Sequence, residues 1–257
     1  MTPDSFSDGG SFFSLDTALE RAEELVRQGA AVIDVGGEST RPGAREVPIE
    51  EELERVIPVV RALASRLSVP ISIDTTKSEV ARAALSVGAS IVNDISGMMA
   101  DPAMAELLAS SGAGLVLMHM RGDPRTMQTR TEYQDLLSEV SVELANMVER
   151  AIRAGVDPEK IAVDPGIGFA KTAEHSLLLL RRIDVLLELG YPVLVGPSRK
   201  SFIGATCGAP VGERLPGTIA ALTAAVLGGA RIVRVHDVAE AAQAVAVADA
   251  IRNAAGD

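Results

Sequence analysis

Val193-Leu194-Val195-Gly196-Pro197-Ser198-Arg199-Lys200-Ser201 is the stretch that decides how the chain is read. An apolar, β-favouring run stops at a glycine and a proline, then opens onto a serine and two adjacent cations, as a buried strand does when it delivers a polar loop. Gly196 and Pro197 end the strand and turn the backbone, so Ser198, Arg199 and Lys200 fall in a loop able to hold an anion or a polar ring. Taken alone, the stretch is also compatible with an ordinary solvated loop. Its weight comes from recurrence.

Short β-branched runs alternate with longer segments of helical period, which is the pattern of βαβ units. Strands are expected at 31–35, 70–74, 90–94, 114–118, 161–164, 192–195 and 231–235. Helical periodicity is clearest at Leu15, Leu19, Ala22, Leu25 and Val26 and again from Ile49 to Leu67. Further helices are expected around 77–87, 102–110, 133–154, 175–189, 216–228 and 238–252, which makes eight. Seven strands against eight helices leaves the first helix without a strand. The expectation is an α/β chain folded as an eight-stranded (β/α) TIM barrel, one domain over 1–257, whose first strand would lie before Met1.

A chain of 257 residues, 47% hydrophobic, suffices for one large core. Its formal net charge of −11 opposes a nucleic-acid or anionic-membrane surface, since both require a cationic field. An anionic ligand must therefore meet a local cluster. The single cysteine, Cys207, excludes an intrachain disulfide and suits a reducing cytosol. No apolar run reaches the roughly 20 residues needed to cross a bilayer, and no basic-then-apolar leader opens the chain. A soluble, cytoplasmic protein is expected.

Barrel enzymes build their sites at the C-terminal ends of the strands. Here those ends carry Asp34, Asp74, Asn93 with Asp94, His119, Asp164, Ser198 to Lys200, and Arg234 with His236. A charged residue ending a buried strand must be paired, hydrogen-bonded or functional. Seven strands ending this way point to a shared concave site. Asp74, Asn93 and Asp164 supply two carboxylate acceptors and an amide, a set suited to a flat heterocycle rich in N–H groups. Lys200 adds a donor, and Arg234 and His236, two residues apart on one strand face, suit an anionic leaving group. Gly36 to Gly43 reads as a mobile lid or an inert crossover. Asp164 to Phe169 lacks the Lys-Ser/Thr ending of a P-loop. Arg121, Arg125 and Arg130 read as a solvated basic loop, and His175 as a solvated residue in the first turn of a helix.

Seven ordered motifs then resemble dihydropteroate synthase. They are Thr2 to Gly10, Asp34 to Gly43, Ser72 to Thr75, Asn93 to Gly97, Asp164 to Phe169, Ser198 to Ser201 and Arg234 to Asp237, and together they cover essentially the whole chain. The resemblance implies a folate-pathway transferase. It would join 6-hydroxymethyl-7,8-dihydropterin pyrophosphate to 4-aminobenzoate, releasing pyrophosphate, on a TIM barrel that is usually a homodimer. It places the pterin on Asp74, Asn93, Asp164 and Lys200, pyrophosphate on Arg234 and His236 with Mg²⁺, and aminobenzoate near Thr40, Arg41, Pro42, Phe169 and Ser198. Lys200, Arg234, His236 and Asp74 are the expected catalytic set. The family's metal-ligating asparagine would precede Met1, so no metal ligand is assigned within the chain. The mechanism expected is loss of pyrophosphate before the amine attacks, aided by the Thr2 to Gly10 loop, with no covalent nucleophile. A methyltetrahydrofolate methyltransferase would share the pterin residues but has no use for the Ser198 to Lys200 and Arg234 to His236 clusters. A catalytically impaired pterin-binding paralogue is the other alternative.

Overall fold

The computed structural model describes residues 15–254. The Thr2 to Gly10 motif lies outside them. The chain divides into two compact units, one holding the described residues up to Met118 together with Met147–Ile161, the other His119–Asn146 and the residues from Ala162 onward.

In the first unit, strands β1 (Ile33–Gly36), β2 (Ile71–Asp74), β3 (Ile91–Asp94) and β4 (Gly114–Met118) lie side by side in chain order, all parallel. Each is four or five residues long. Every residue of β2 is buried. A parallel strand covered on both faces favours apolar residues, and Ile71 and Ile73 of β2 fill the core while Ser72 and Asp74 are buried polar exceptions. Helices α1 (Leu15–Arg27), α2 (Ile49–Arg66), α3 (Ser78–Ser86) and α4 (Ala103–Ser111) alternate with them. α2 buries Val56, Val59, Val60 and Leu63, spaced as one face of a helix.

In the second unit, β5 (Ile161–Asp164) meets β6 (Leu194–Val195) through a parallel bridge between Val163 and Val193, and β6 pairs with β7 (Ile232–Val233) in the same sense. Helices α5 (Leu136–Ala154), α6 (Ala173–Arg181), α7 (Ile183–Leu187), α8 (Ser201–Cys207), α9 (Leu215–Leu227) and α10 (Val238–Asn253) complete the described chain.

The seven expected strands are all present, the last two shorter than expected. The helices number ten among the described residues, where eight were expected. The helix expected at 175–189 is two, because Arg182 leaves the helical region at φ −117° and ψ 40° and Asp184 opens a fresh first turn. The other addition, α8, is a seven-residue helix containing Ile203, Gly204 and Thr206, all poor helix formers. Burial of Phe202 and Ile203 holds it, and such tertiary support has no periodic signature in the chain.

Candidate active site

Parallel register in the first unit sets Asp74 directly beside Asn93, with Gly36 on the other side of Asp74. Asp74 is 5% exposed and Asn93 7%, so the carboxylate and the amide sit almost dry at neighbouring strand ends. The adjacent Asp94 has a different role. It accepts from Ser96 N at 2.8 Å, Ser96 Oγ at 2.7 Å and Met98 N at 3.0 Å, and so forms the turn after β3.

The loop after β1 carries Thr40, Arg41 and Pro42, with Arg41 and Pro42 exposed. Its base is fixed. Gly37 O accepts from Arg55 Nη1 at 2.7 Å, and a Cβ on Gly37 would stand 2.7 Å from Glu52 Cγ, a spacing only glycine permits. Lys77 Nζ bonds both Glu38 and the wholly buried Glu52, the latter at 2.5 Å. These two carboxylates hold the Lys77 ammonium above its usual range against the opposing effect of burial. The loop from Gly36 to Gly43, read as a mobile lid or an inert crossover, is thus tied down through Glu38.

In the second unit, the loops after β5, β6 and β7 bring together Asp164, Phe169, Ser198, Lys200, Arg234 and His236. Asp164, 6% exposed, accepts from Gly166 N at 2.7 Å. Burial pushes its carboxyl up, and the Lys200 ammonium is the chief opposing influence. Lys200 Nζ donates to Ile167 O and lies 4.4 Å from the centre of the Phe169 ring. Burial pulls this ammonium down to about 8 against the attraction of Asp164, with Arg234 pulling it further down. A half-buried cation beside a buried carboxylate and an aromatic face offers a polar, planar surface.

Ser198 Oγ lies 2.9 Å from His236 Nδ1 and also accepts from His236 N at 3.3 Å. Burial and the nearby Arg234 and Arg199 guanidiniums hold the His236 imidazole well below its usual range. Arg199 has a partner in the next loop. Its guanidinium forms a two-pronged bond to Asp237, with Nε at 2.9 Å from Oδ2, so it ties two loops together.

Other polar residues read as solvated from sequence are engaged. Arg121 bonds Glu139 and Glu143 and lies 4.1 Å over the Tyr133 ring. His175 closes a capping box with Thr172 at the start of α6 and packs edge-on to Tyr133, their ring centres 5.3 Å apart. Sequence reasoning passed over Lys171, which is 3% exposed and bonded to His119. Burial pulls its ammonium down to about 7.

In the first unit a dry carboxylate and an amide stand side by side at parallel strand ends, a set suited to a flat, hydrogen-bonding heterocycle; in the second a half-buried lysine lies against an aromatic ring, and Arg234 and His236 suit an anion. The chain belongs to the family described as pterin binding enzymes, whose model matches residues 1–236. Within that family it falls among the dihydropteroate synthases. It is 54% identical to "Dihydropteroate synthase" of Synechocystis sp. over 251 residues, 97% of this chain and 87% of that protein. The solved dihydropteroate synthase of Yersinia pestis, in a sulfonamide drug complex, superposes with a TM-score of 0.94 at 43% identity, covering 98% of this chain and 92% of the other. That of Xanthomonas albilineans with 4-aminobenzoic acid gives 0.92 at 41%, covering 99% and 91%. The α/β fold is accordingly the TIM barrel expected from the strand and helix alternation.

Proposed function

We propose that the chain joins 6-hydroxymethyl-7,8-dihydropterin pyrophosphate to 4-aminobenzoate, giving 7,8-dihydropteroate and pyrophosphate, and that the residues assembled above divide the work. The observation that carries the assignment is the dry Asp164 carboxylate beside the half-buried Lys200 ammonium. Asp74, Asn93 and Asp164 accept the N–H groups of the pterin, while Lys200 donates to the ring. In so dry a setting each unmade hydrogen bond costs about 1–3 kcal/mol, which makes the set selective. Arg234 and His236 receive the pyrophosphate. Arrival of a polyanion favours the protonated imidazole, so His236 takes up charge as the leaving group develops it.

The C–O bond of the pterin methylene breaks with its electron pair going to pyrophosphate. The amine nitrogen then forms the C–N bond and gives up one proton. Thr40, Arg41, Pro42, Phe169 and Ser198 position the aminobenzoate, with the Arg41 guanidinium suited to its carboxylate. Mg²⁺ is proposed as a companion of the pyrophosphate. The described residues do not themselves form a metal centre, because no group of three or more His, Cys, Asp or Glu side chains among them is placed to hold an ion. No step is assigned to it here. One domain over 1–257, a homodimer and a cytoplasmic setting belong to the same proposal. No helix among the described residues is long and apolar enough to cross a membrane.

The test is formation of 7,8-dihydropteroate from the two substrates, with pyrophosphate release that depends on 4-aminobenzoate and falls when Mg²⁺ is chelated. Pterin binding without turnover would support the impaired paralogue instead.

A further inference from the structure

The turn from Gly166 to Ala170 is framed to an unusual degree. Gly166, Gly168 and Ala170 all have positive φ, at 69°, 79° and 49°. Such a path aims successive carbonyls away from any helix or sheet partner, yet all five are met. Gly166 O accepts from Phe169 N at 3.0 Å, Ile167 O from Lys200 Nζ, and Gly168 O from Gln128 Nε2 at 3.1 Å. Phe169 O accepts from Lys171 Nζ at 3.0 Å and Ala170 O from the Tyr133 hydroxyl at 3.0 Å.

Lys171 is the hub of this frame. Its ammonium has three N–H groups and three acceptors, namely Phe169 O, Gly166 O at 3.4 Å and His119 Nδ1 at 3.0 Å. His119, wholly buried, can accept at Nδ1 only as the tautomer protonated at Nε2, and Nε2 lies 2.9 Å from Glu143 Oε2, which accepts that proton's hydrogen bond. Glu143 is fixed in turn by Arg121, whose Nε is 3.1 Å away. The chain Arg121, Glu143, His119, Lys171 is thus a continuous network that runs from two part-exposed side chains to two buried ones and ends on the backbone carrying Phe169.

We propose that Lys171 is a positioning residue for the synthase reaction, a buried ammonium keyed by His119 and Glu143 that sets the Gly166 to Ala170 turn and so places the Phe169 ring. The proposal rests on the assignment of Phe169 to the aminobenzoate. Asp74 and Asn93 are untouched by it, so loss of Lys171 weakens aminobenzoate use more than pterin binding.

The experiment compares the full chain with Lys171→Met, which keeps the length and bulk but removes the charge, and Tyr133→Phe, which removes one other bond to the same turn. In Lys171→Met the KM for 4-aminobenzoate is expected to rise at least tenfold, with pterin affinity by calorimetry changed less than threefold. Tyr133→Phe should shift the same KM in the same direction by a smaller factor. A merely structural lysine would lower the melting temperature and leave that KM alone, and this result would overturn the proposal. Hydrogen exchange supplies a readout independent of turnover. Amides 166–171 should exchange at least tenfold faster in Lys171→Met while those of Ile161–Asp164 keep their protection, and unchanged exchange in the turn would overturn the proposal even if the wild-type chain made no dihydropteroate. If Lys171→Met does not fold, Tyr133→Phe decides by the same two measurements. Absence of dihydropteroate with the wild-type chain counts against the functional reading alone.

Discussion

Replacing Arg199 separates two effects that one residue combines. Arg199 sits at φ 57°, a left-handed conformation that costs an ordinary residue about 1–2 kcal/mol relative to glycine. The conformation is retained by bonds to the Arg199 backbone that replacing its own side chain leaves in place, Arg199 N to Thr218 Oγ1 at 3.0 Å and Arg214 Nη1 to Arg199 O at 3.1 Å. The guanidinium grips Asp237 in two places, with side chains 40% and 17% exposed, and partly solvated pairs contribute about 0.2–1 kcal/mol. Arg199→Ala loses the pair and keeps the strain, so it should be destabilised by up to about 1 kcal/mol, a fall of roughly 2–4 °C in melting temperature for a chain of this size. Arg199→Gly loses the same pair but relaxes the backbone, so its stability should match or exceed that of the parent. Both variants untie the loop bearing Ser198 and Lys200 from the strand end bearing His236. Turnover should therefore fall about tenfold in both, with pterin affinity much less affected. Scanning calorimetry and steady-state kinetics on the three proteins decide the matter. Equal destabilisation by alanine and glycine would refute the strain argument, and full turnover in both would refute the tether.

Lys200→Met removes the charge facing Asp164 and should weaken pterin binding about 5- to 150-fold, the range that 1–3 kcal/mol implies; calorimetry with a pterin ligand checks it, and an unchanged Kd removes Lys200 from the site. Arg234→Ala and His236→Ala should depress kcat by a larger factor than they weaken pterin binding, because their charge matters most as pyrophosphate departs; equal losses in both quantities would contradict this. Stability should rise with pH on the alkaline side. Burial lowers the folded-state pKa of Lys171 to about 7 and of Lys200 to about 8, so from there up to the ordinary lysine value of 10.5 the unfolded chain binds more protons and folding gains as protons leave. Below neutrality Glu143, lowered to about 2 by His119 and Arg121, contributes stability that is present above the ordinary glutamate range and lost as pH falls from there towards 2. Melting temperatures from pH 2 to 9 test both limbs, and Glu143→Gln should flatten the acid one.

What the sequence made legible and what it hid follow from one physical distinction. A parallel strand buried on both faces favours apolar residues, so a carboxylate at its end is conspicuous, and Asp74 and Asp164 could be singled out from a single chain. Asn93 gained its place from register, because it pairs with Asp74 on the neighbouring strand. Residues in loops carry no such contrast. Lys171 follows Phe169-Ala170 in a loop, and its partners His119 and Tyr133 are distant in sequence. Arg199 and Arg234 look alike as strand-end cations, yet Asp237 captures the first. The helix α8 escaped for a related reason, since its stability comes from two buried residues and not from a repeating pattern. The turn at Gly166 is an instructive middle case. Two glycines within three residues announce a backbone path on which carbonyls lose their regular partners, so the need for donors is readable from the chain. Which side chains meet that need is not, because a donor can arrive from any element the fold brings near. Demand for hydrogen bonds is local and supply is tertiary, and for that reason the strand-end part of this site could be read in advance while the network behind Phe169 could not.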